Sequence, residues 1–223
     1  FKFKKNITLN AGNSGTVGRL ILPLLIRSPY KIRIIGDKSL SKRDFSRVIN
    51  PLNEIGAKFY PKNRGKLPLS IIGSDYLRPI TYYENIGSAQ CKTCVMLASL
   101  NTPGEMRIFA KRSRNHTELM FKELKIPIKI KNTKNFNFIK TSKPTKLSKF
   151  NLNIPGDISS ASFFIALTLL TKTSQLRLKN INLNPSRLGI LKILNKMGAN
   201  IKLKNIKISK GERYGDIFVK SNK

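Results

Sequence analysis

With 223 residues, 40% of them apolar, the chain has material for one large hydrophobic core or two smaller ones. No apolar run reaches the ~18 residues needed to cross a bilayer. No signal-peptide pattern is present, and two cysteines give no disulfide framework, so a reducing, cytoplasmic setting is expected. The formal net charge of +32 would suit a polyanionic partner. The lysines, however, lie among Ile and Asn over the whole length rather than in one tract, so a biased solvated surface accounts for most of the excess.

In chain order, the first signal is Asn13-Ser14-Gly15-Thr16 directly before the apolar run "VGRLILPLL". These residues cap a helix well, and the unpaired N–H groups of a helix start also attract anions. A strand is predicted at 30–36. A basic loop follows, with Lys38, Lys42, Arg43 and Arg47, and it leads into a helix. On that helix Phe45, Val48, Ile49, Leu52 and Ile55 make one apolar stripe. Cations at a helix start oppose its dipole, which makes a bound anion a reasonable counterpart there.

A second helix-strand set begins at Ser88 in "GSAQCKTCVMLASL", with its strand at 105–110. Cys91 and Cys94 have C-x-x-C spacing, but the sequence offers only His116 as a further metal ligand, so buried helix cysteines are expected. Ser113, Arg114 and His116 follow the strand. Residues 129–153 are polar and Lys/Asn/Thr/Ser-rich, and read as an extended or crossover segment. In "IPGDISSASFF" (154–164), Asp157, Ser159 and Ser160 are candidate caps of a third such helix, followed by a strand at 175–180.

These sets are copies of one unit. "LNEIGAKF" (52–59) recurs as "FKELKIPI" (121–128) and "LNKMGANI" (194–201), each a helix end, a tight turn and a strand start. Gly56 and Gly198 occupy the position after the helix where the left-handed conformation is common. The period is about 70 residues, and the order helix, strand, loop, helix, turn, strand predicts an α/β fold. Gly15, Ser88 and Ser159 sit at equivalent helix starts, and Arg43, Arg114 and Arg187 at equivalent loop ends. Repeated helix starts beside repeated arginines favour a small polyanionic ligand over a nucleic-acid track.

Taken in order, "GNSGT" with Arg19, "GDKSLSKR…RVINPLNEIGA", "ITYYENIGSAQCKTCVMLASLNTPG", "SRNHTE", "IPGDISSASFF" and "NLNPSRLGILKILNKMGA" resemble the 5-enolpyruvylshikimate-3-phosphate synthase family from about residue 9 to the end. The resemblance implies a two-domain inside-out α/β barrel of repeated βαβαββ units, here incomplete at both ends. Residues 1–148 would be part of the first domain, about two repeats, and 149–223 the start of the second, with one. It also implies transfer of the enolpyruvyl group of phosphoenolpyruvate to the 5-hydroxyl of shikimate 3-phosphate with release of phosphate, in the shikimate pathway of aromatic amino-acid biosynthesis.

Carried over by motif, Asn13, Gly15, Thr16, Arg43 and Gln90 would hold phosphoenolpyruvate. Ser88, Ala89, Gln90, Ser113 and Arg114 would hold shikimate 3-phosphate. The missing side chain of Gly15 should leave room for glyphosate. No metal or organic cofactor is implied, nor a membrane or a specific nucleic acid, and the full-length protein would be a monomer. The acid-base groups of the reaction are expected outside this segment, so no catalytic residue is assigned within it and the segment alone is expected to be inactive. Asp44 stands where the family usually has Pro, and Asn115 where it has Asp. The alternatives are the sister enolpyruvyl transferase acting on UDP-N-acetylglucosamine, and a non-catalytic basic fragment that binds nucleic acid.

Overall fold

The computed structural model describes residues 5, 7–62, 65–147 and 149–221. The first repeat runs β1 (Thr8–Asn10), α1 (Gly15–Leu20), β2 (Ile32–Ile35), α2 (Ser46–Ile55), β3 (Lys58–Lys62) and β4 (Lys66–Ile72). β1 pairs parallel to β2, and β4 pairs antiparallel to both β2 and β3, giving the sheet order β1-β2-β4-β3. The second repeat has β5 (Thr81–Glu84), α3 (Ala89–Ala98), β6 (Glu105–Lys111), α4 (His116–Glu123), β7 (Ile128–Asn132) and β8 (Phe136–Ser142). Its sheet order, β5-β6-β8-β7, and its pairing senses are the same.

The third repeat has α5 (Ile158–Leu170), β9 (Gln175–Asn182), α6 (Gly189–Lys196), β10 (Asn200–Ser209) and β11 (Glu212–Lys220), in the order β10-β11-β9. Its opening strand has shrunk to a single parallel bridge between Gly156 and Ile181, held by Gly156 N to the Asn180 carbonyl and Asn182 N to the Gly156 carbonyl, both 2.8 Å. Each repeat is therefore a βαβαββ unit, as the α/β expectation required.

The chain divides into two compact units, Phe1–Ser113 with Lys125–Leu147, and Arg114–Leu124 with Ser148–Lys223. The expected domain boundary falls at Ser148, outside the described residues. Helix α4, taken with the first domain in the sequence, groups with the second unit. Within that unit it is fastened by His116 to Glu212, by Glu123 to Lys210 at 3.2 Å, and by the Asn184 side-chain amide to Asn115 Oδ1 at 2.9 Å.

Local chemistry explains the element ends. Ser14 Oγ accepts from Val17 N at 3.1 Å and starts α1, which is shorter than its apolar run suggests because Pro23 shifts the chain into a 3₁₀ turn at Leu22–Leu24. Every residue of the predicted α2 stripe is buried. Gly56 (φ +123) and Gly198 (φ +85) close α2 and α6 in the left-handed region. The equivalent residue of the second repeat is Lys125, at φ +54. The same turn is thus made there without glycine, which costs about 1–2 kcal/mol in backbone strain.

The stretch 129–153, expected as a crossover, is mostly the β7–β8 hairpin. Lysine and asparagine at its solvent positions hid the alternation. Asp157, not Ser159, caps α5, its Oδ2 accepting from Ser160 N at 3.2 Å.

In the second unit α5 is apolar on all sides. Ile158, Ala161 and Ile165 join Ile181, Leu188, Ile217 and Val219 in a core. Phe163 and Leu170 on its other side are 77% and 86% exposed. A patch of that kind marks a surface meant to be covered.

Asp216 pins the irregular part of the same sheet. It accepts from Arg177 Nη2 at 2.8 Å, Asn205 Nδ2 at 2.9 Å and Asn180 N at 3.0 Å. Asn180 and Asn205 both have φ above +50° and lie beside register shifts in β9 and β10. The Arg177 guanidinium first, then Asn205 and the Asn180 N–H, hold the Asp216 carboxyl down to about 2. A depressed carboxylate stabilises the fold above its unfolded pKa, near 4, and loses that contribution as pH falls through its folded value. Asp216→Asn should therefore melt below wild type by a constant margin at pH 6–7, and the margin should close between about pH 4 and 2. Thermal melts across that range check it.

Candidate functional site

Five of the expected site residues come together in the first unit. Arg43, at the end of the 3₁₀ turn Leu40–Lys42, sends Nη2 to Asn13 Oδ1 at 3.3 Å. Gln90, in the first turn of α3, donates from Nε2 to Thr16 Oγ1 at 2.9 Å. Gly15 lies between them. A Cβ placed on it would stand 3.1 Å from Arg43 Nη1 and 3.6 Å from Arg19 Nη1. Ser88 caps α3 by accepting from Cys91 N at 3.3 Å, and Ala89 follows it.

Arg19 is the residue that the sequence placed in a motif without giving it a role. Nη1 donates to Gln90 Oε1 at 2.7 Å and Nη2 to the Asp44 carbonyl at 3.1 Å, while the guanidinium lies 5.3 Å above the Phe45 ring. It stands four residues after Gly15 on α1, one turn along the same face. Arg19 thus joins α1, the loop before α2 and the start of α3. Asp44 turns that loop itself, its Oδ1 accepting from Ser46 N at 2.8 Å, and this N–H holds its carboxyl below the usual range. The departure from proline therefore leaves a well-closed turn.

The repeats show why this corner differs from its copy. In the third repeat Arg187 reaches back to its own helix start, donating to Ser159 Oγ at 2.7 Å and pairing with Asp157 at 2.6 Å. Asp157 neutralises it. In the first repeat the same reach ends on Asn13, a neutral amide. Among the described residues neither Arg43 nor Arg19 forms an ion pair. Two planar, charged forks converging on a glycine make a seat for a phosphate or carboxylate. The six-residue helix α1 adds little to it, so the attraction comes from the arginines.

The remaining expected residues are placed otherwise. Ser113 ends the first unit's run, with a buried hydroxyl that has no partner among the described residues. Arg114 is exposed and opens the segment assigned to the second unit. His116 begins α4 and is tied through Nδ1 to Glu212 Oε1 at 2.5 Å. Asn182 and Asn184 donate to the other Glu212 oxygen, at 3.3 and 3.2 Å. Cys91 and Cys94 are buried free thiols, and burial pushes the Cys94 thiol well up. That excludes an activated thiolate there.

The family model for EPSP synthase (3-phosphoshikimate 1-carboxyvinyltransferase) matches residues 1–220. The chain belongs to the EPSP synthase family. The 3-phosphoshikimate 1-carboxyvinyltransferase of Petrotoga mobilis is 40% identical over 216 residues, covering 96% of this chain and 49% of that protein. That of Ruthia magnifica is 41% identical over 220 residues, covering 98% and 49%. The EPSP synthase structure from Acinetobacter baumannii superposes with a TM-score of 0.80 at 34% identity, over 96% of this chain and 48% of that one. The enolpyruvyl transferase NikO from Streptomyces tendae shares the fold, with a TM-score of 0.62 at 14% identity over 91% and 46%. The chain thus spans about half the length of these EPSP synthase relatives.

Gly15→Ala tests the corner directly. The added methyl would press on the tip of Arg43, a flexible side chain, so the site should shift and the fold should not. Under the function proposed below, the expected result for the full-length protein is a KM for phosphoenolpyruvate raised about tenfold, a loss of about 1.4 kcal/mol. The melting temperature should stay near wild type. Steady-state kinetics and a thermal melt check both.

Proposed function

We propose that this chain is the substrate-holding portion of a 3-phosphoshikimate 1-carboxyvinyltransferase. Phosphoenolpyruvate sits at Asn13, Gly15, Thr16, Arg43 and Gln90. Shikimate 3-phosphate sits at Ser88, Ala89 and Gln90, with Ser113 of the same unit serving its phosphate. The observation that carries this reading is the convergence of Arg43 and Arg19, neither of which forms an ion pair among the described residues, on Gly15 beside Gln90.

The reaction needs two anions brought together against their mutual repulsion, and fixed guanidinium groups supply that. The 5-hydroxyl oxygen of shikimate 3-phosphate bonds to C2 of phosphoenolpyruvate as its methylene gains a proton. The tetrahedral adduct then expels inorganic phosphate, and the new methyl group gives up a proton to restore the enol ether. Those proton transfers belong to residues beyond this segment. Residues 1–148 without the α4 segment form part of one domain, and 149–223 with that segment belong to another. The protein works in the cytoplasm as a monomer. No helix among the described residues is long and apolar enough to cross a membrane.

The test is phosphate release by the full-length gene product given both substrates. Release that requires both supports the reading. No release, with nucleic-acid binding that falls steeply as salt rises, would replace it with a basic binding protein.

A further inference from the structure

Glu84 ends β5 and is only 2% exposed, an expensive place for a carboxylate unless it is paired and hydrogen-bonded. Its Oε2 accepts from Gly87 N at 2.6 Å and its Oε1 from Ile86 N at 3.2 Å. Arg47 Nη2 lies 3.6 Å from Oε1. One carboxylate therefore grips two consecutive N–H groups of the loop Asn85–Gly87, whose last residue is held at φ +82. The next three residues are Ser88, Ala89 and Gln90.

Arg47 stands in the first turn of α2, where a cation opposes the helix dipole, and that turn contains no acidic residue. Glu84 offsets what would otherwise be a poor choice. A broken local rule with a specific long-range partner is the mark of a position kept for a site.

We infer that Glu84 and Arg47 are a positioning pair, which fixes the Asn85–Gly87 loop against α2 and so sets the spacing of the α3 start, Ser88–Gln90, from Arg43. The inference rests on the function proposed above. Ile86 at the loop tip is 72% exposed, so packing does little to hold this loop and the carboxylate does most of it. Neither side chain touches substrate in this account. Both act through the loop.

The experiment uses the full-length protein and three variants. Glu84→Gln keeps the size and one acceptor but removes the charge. Arg47→Met removes the partner, and Arg47→Lys keeps the charge without the fork. Expected are a KM for shikimate 3-phosphate raised about tenfold in Glu84→Gln and in Arg47→Met, kcat within about threefold of wild type, and partial rescue in Arg47→Lys. The double variant should be no worse than Glu84→Gln alone, because the two groups act as one unit. A lowered melting temperature with unchanged KM would overturn the inference and leave a merely structural ion pair. If Glu84→Gln fails to fold, the two Arg47 variants decide, since wild-type KM in Arg47→Met also overturns it. A wild-type protein without turnover would sink the proposed function instead, so the two failures are distinguishable.

Discussion

Arg43→Ala should raise the KM for phosphoenolpyruvate about a hundredfold in the full-length protein while leaving shikimate 3-phosphate binding within a few-fold of wild type. Arg43 is exposed, and its contact to Asn13 is a long one at 3.3 Å, so the side chain does little for the fold. It has no ion-pair partner among the described residues, whereas the equivalent Arg187 is neutralised by Asp157. A guanidinium with two hydrogen bonds to an anion is worth roughly 1.5–3 kcal/mol for each charge-assisted contact, which sets the size of the loss. Arg43→Lys keeps the charge and loses the planar fork, and should fall between the two at about tenfold. Steady-state kinetics with each substrate varied in turn separates the outcomes. A hundredfold loss in shikimate 3-phosphate affinity with normal phosphoenolpyruvate KM would mean that the two anions are assigned the wrong way round.

Much of the architecture was legible because the repeat writes the same information three times. The turn at 52–59, 121–128 and 194–201, the buried stripe of α2 and the helix starts near 15, 88 and 159 all rest on short-range chemistry. What escaped the sequence was long-range or disguised. The β7–β8 hairpin lay inside a polar stretch, since lysines on one face of a strand look like a linker in a lysine-rich chain. The first strand of the third repeat is a lone bridge at Gly156, with no pattern to find. The left-handed turn at Lys125 carries no glycine to announce it.

The same division runs through the site. Asn13, Gly15 and Thr16 are contiguous and announce a capped helix start. Arg19 and Glu84 gave no comparable signal. Arg19 acts on Gln90 across 71 positions of the chain, and Glu84 on Arg47 across 37. Residues that hold other residues in place are set by tertiary distance, which composition and spacing do not encode.

Phe45→Ala should be the most destabilising of the substitutions considered and should also reach the site. Phe45 is fully buried, and its backbone N–H donates to the Gly65 carbonyl at 2.8 Å as α2 begins. The ring packs on α1 so closely that a Cβ on Gly18 would stand 3.3 Å from Cε1. Truncation of such a ring costs about 3–5 kcal/mol and should lower the melting temperature by roughly 10 °C or more. Its second effect runs through Arg19, whose guanidinium rests over the ring and whose Nη1 holds Gln90. Phe45→Leu separates the two consequences. Leucine fills most of the volume and should cost no more than about 1.5 kcal/mol, but it offers no π face to the guanidinium. The expected result is a leucine variant that melts close to wild type yet shows a KM for phosphoenolpyruvate raised several-fold. If Phe45→Leu were kinetically silent, the ring would be core alone, and Arg19 would owe its place to Gln90 and the Asp44 carbonyl.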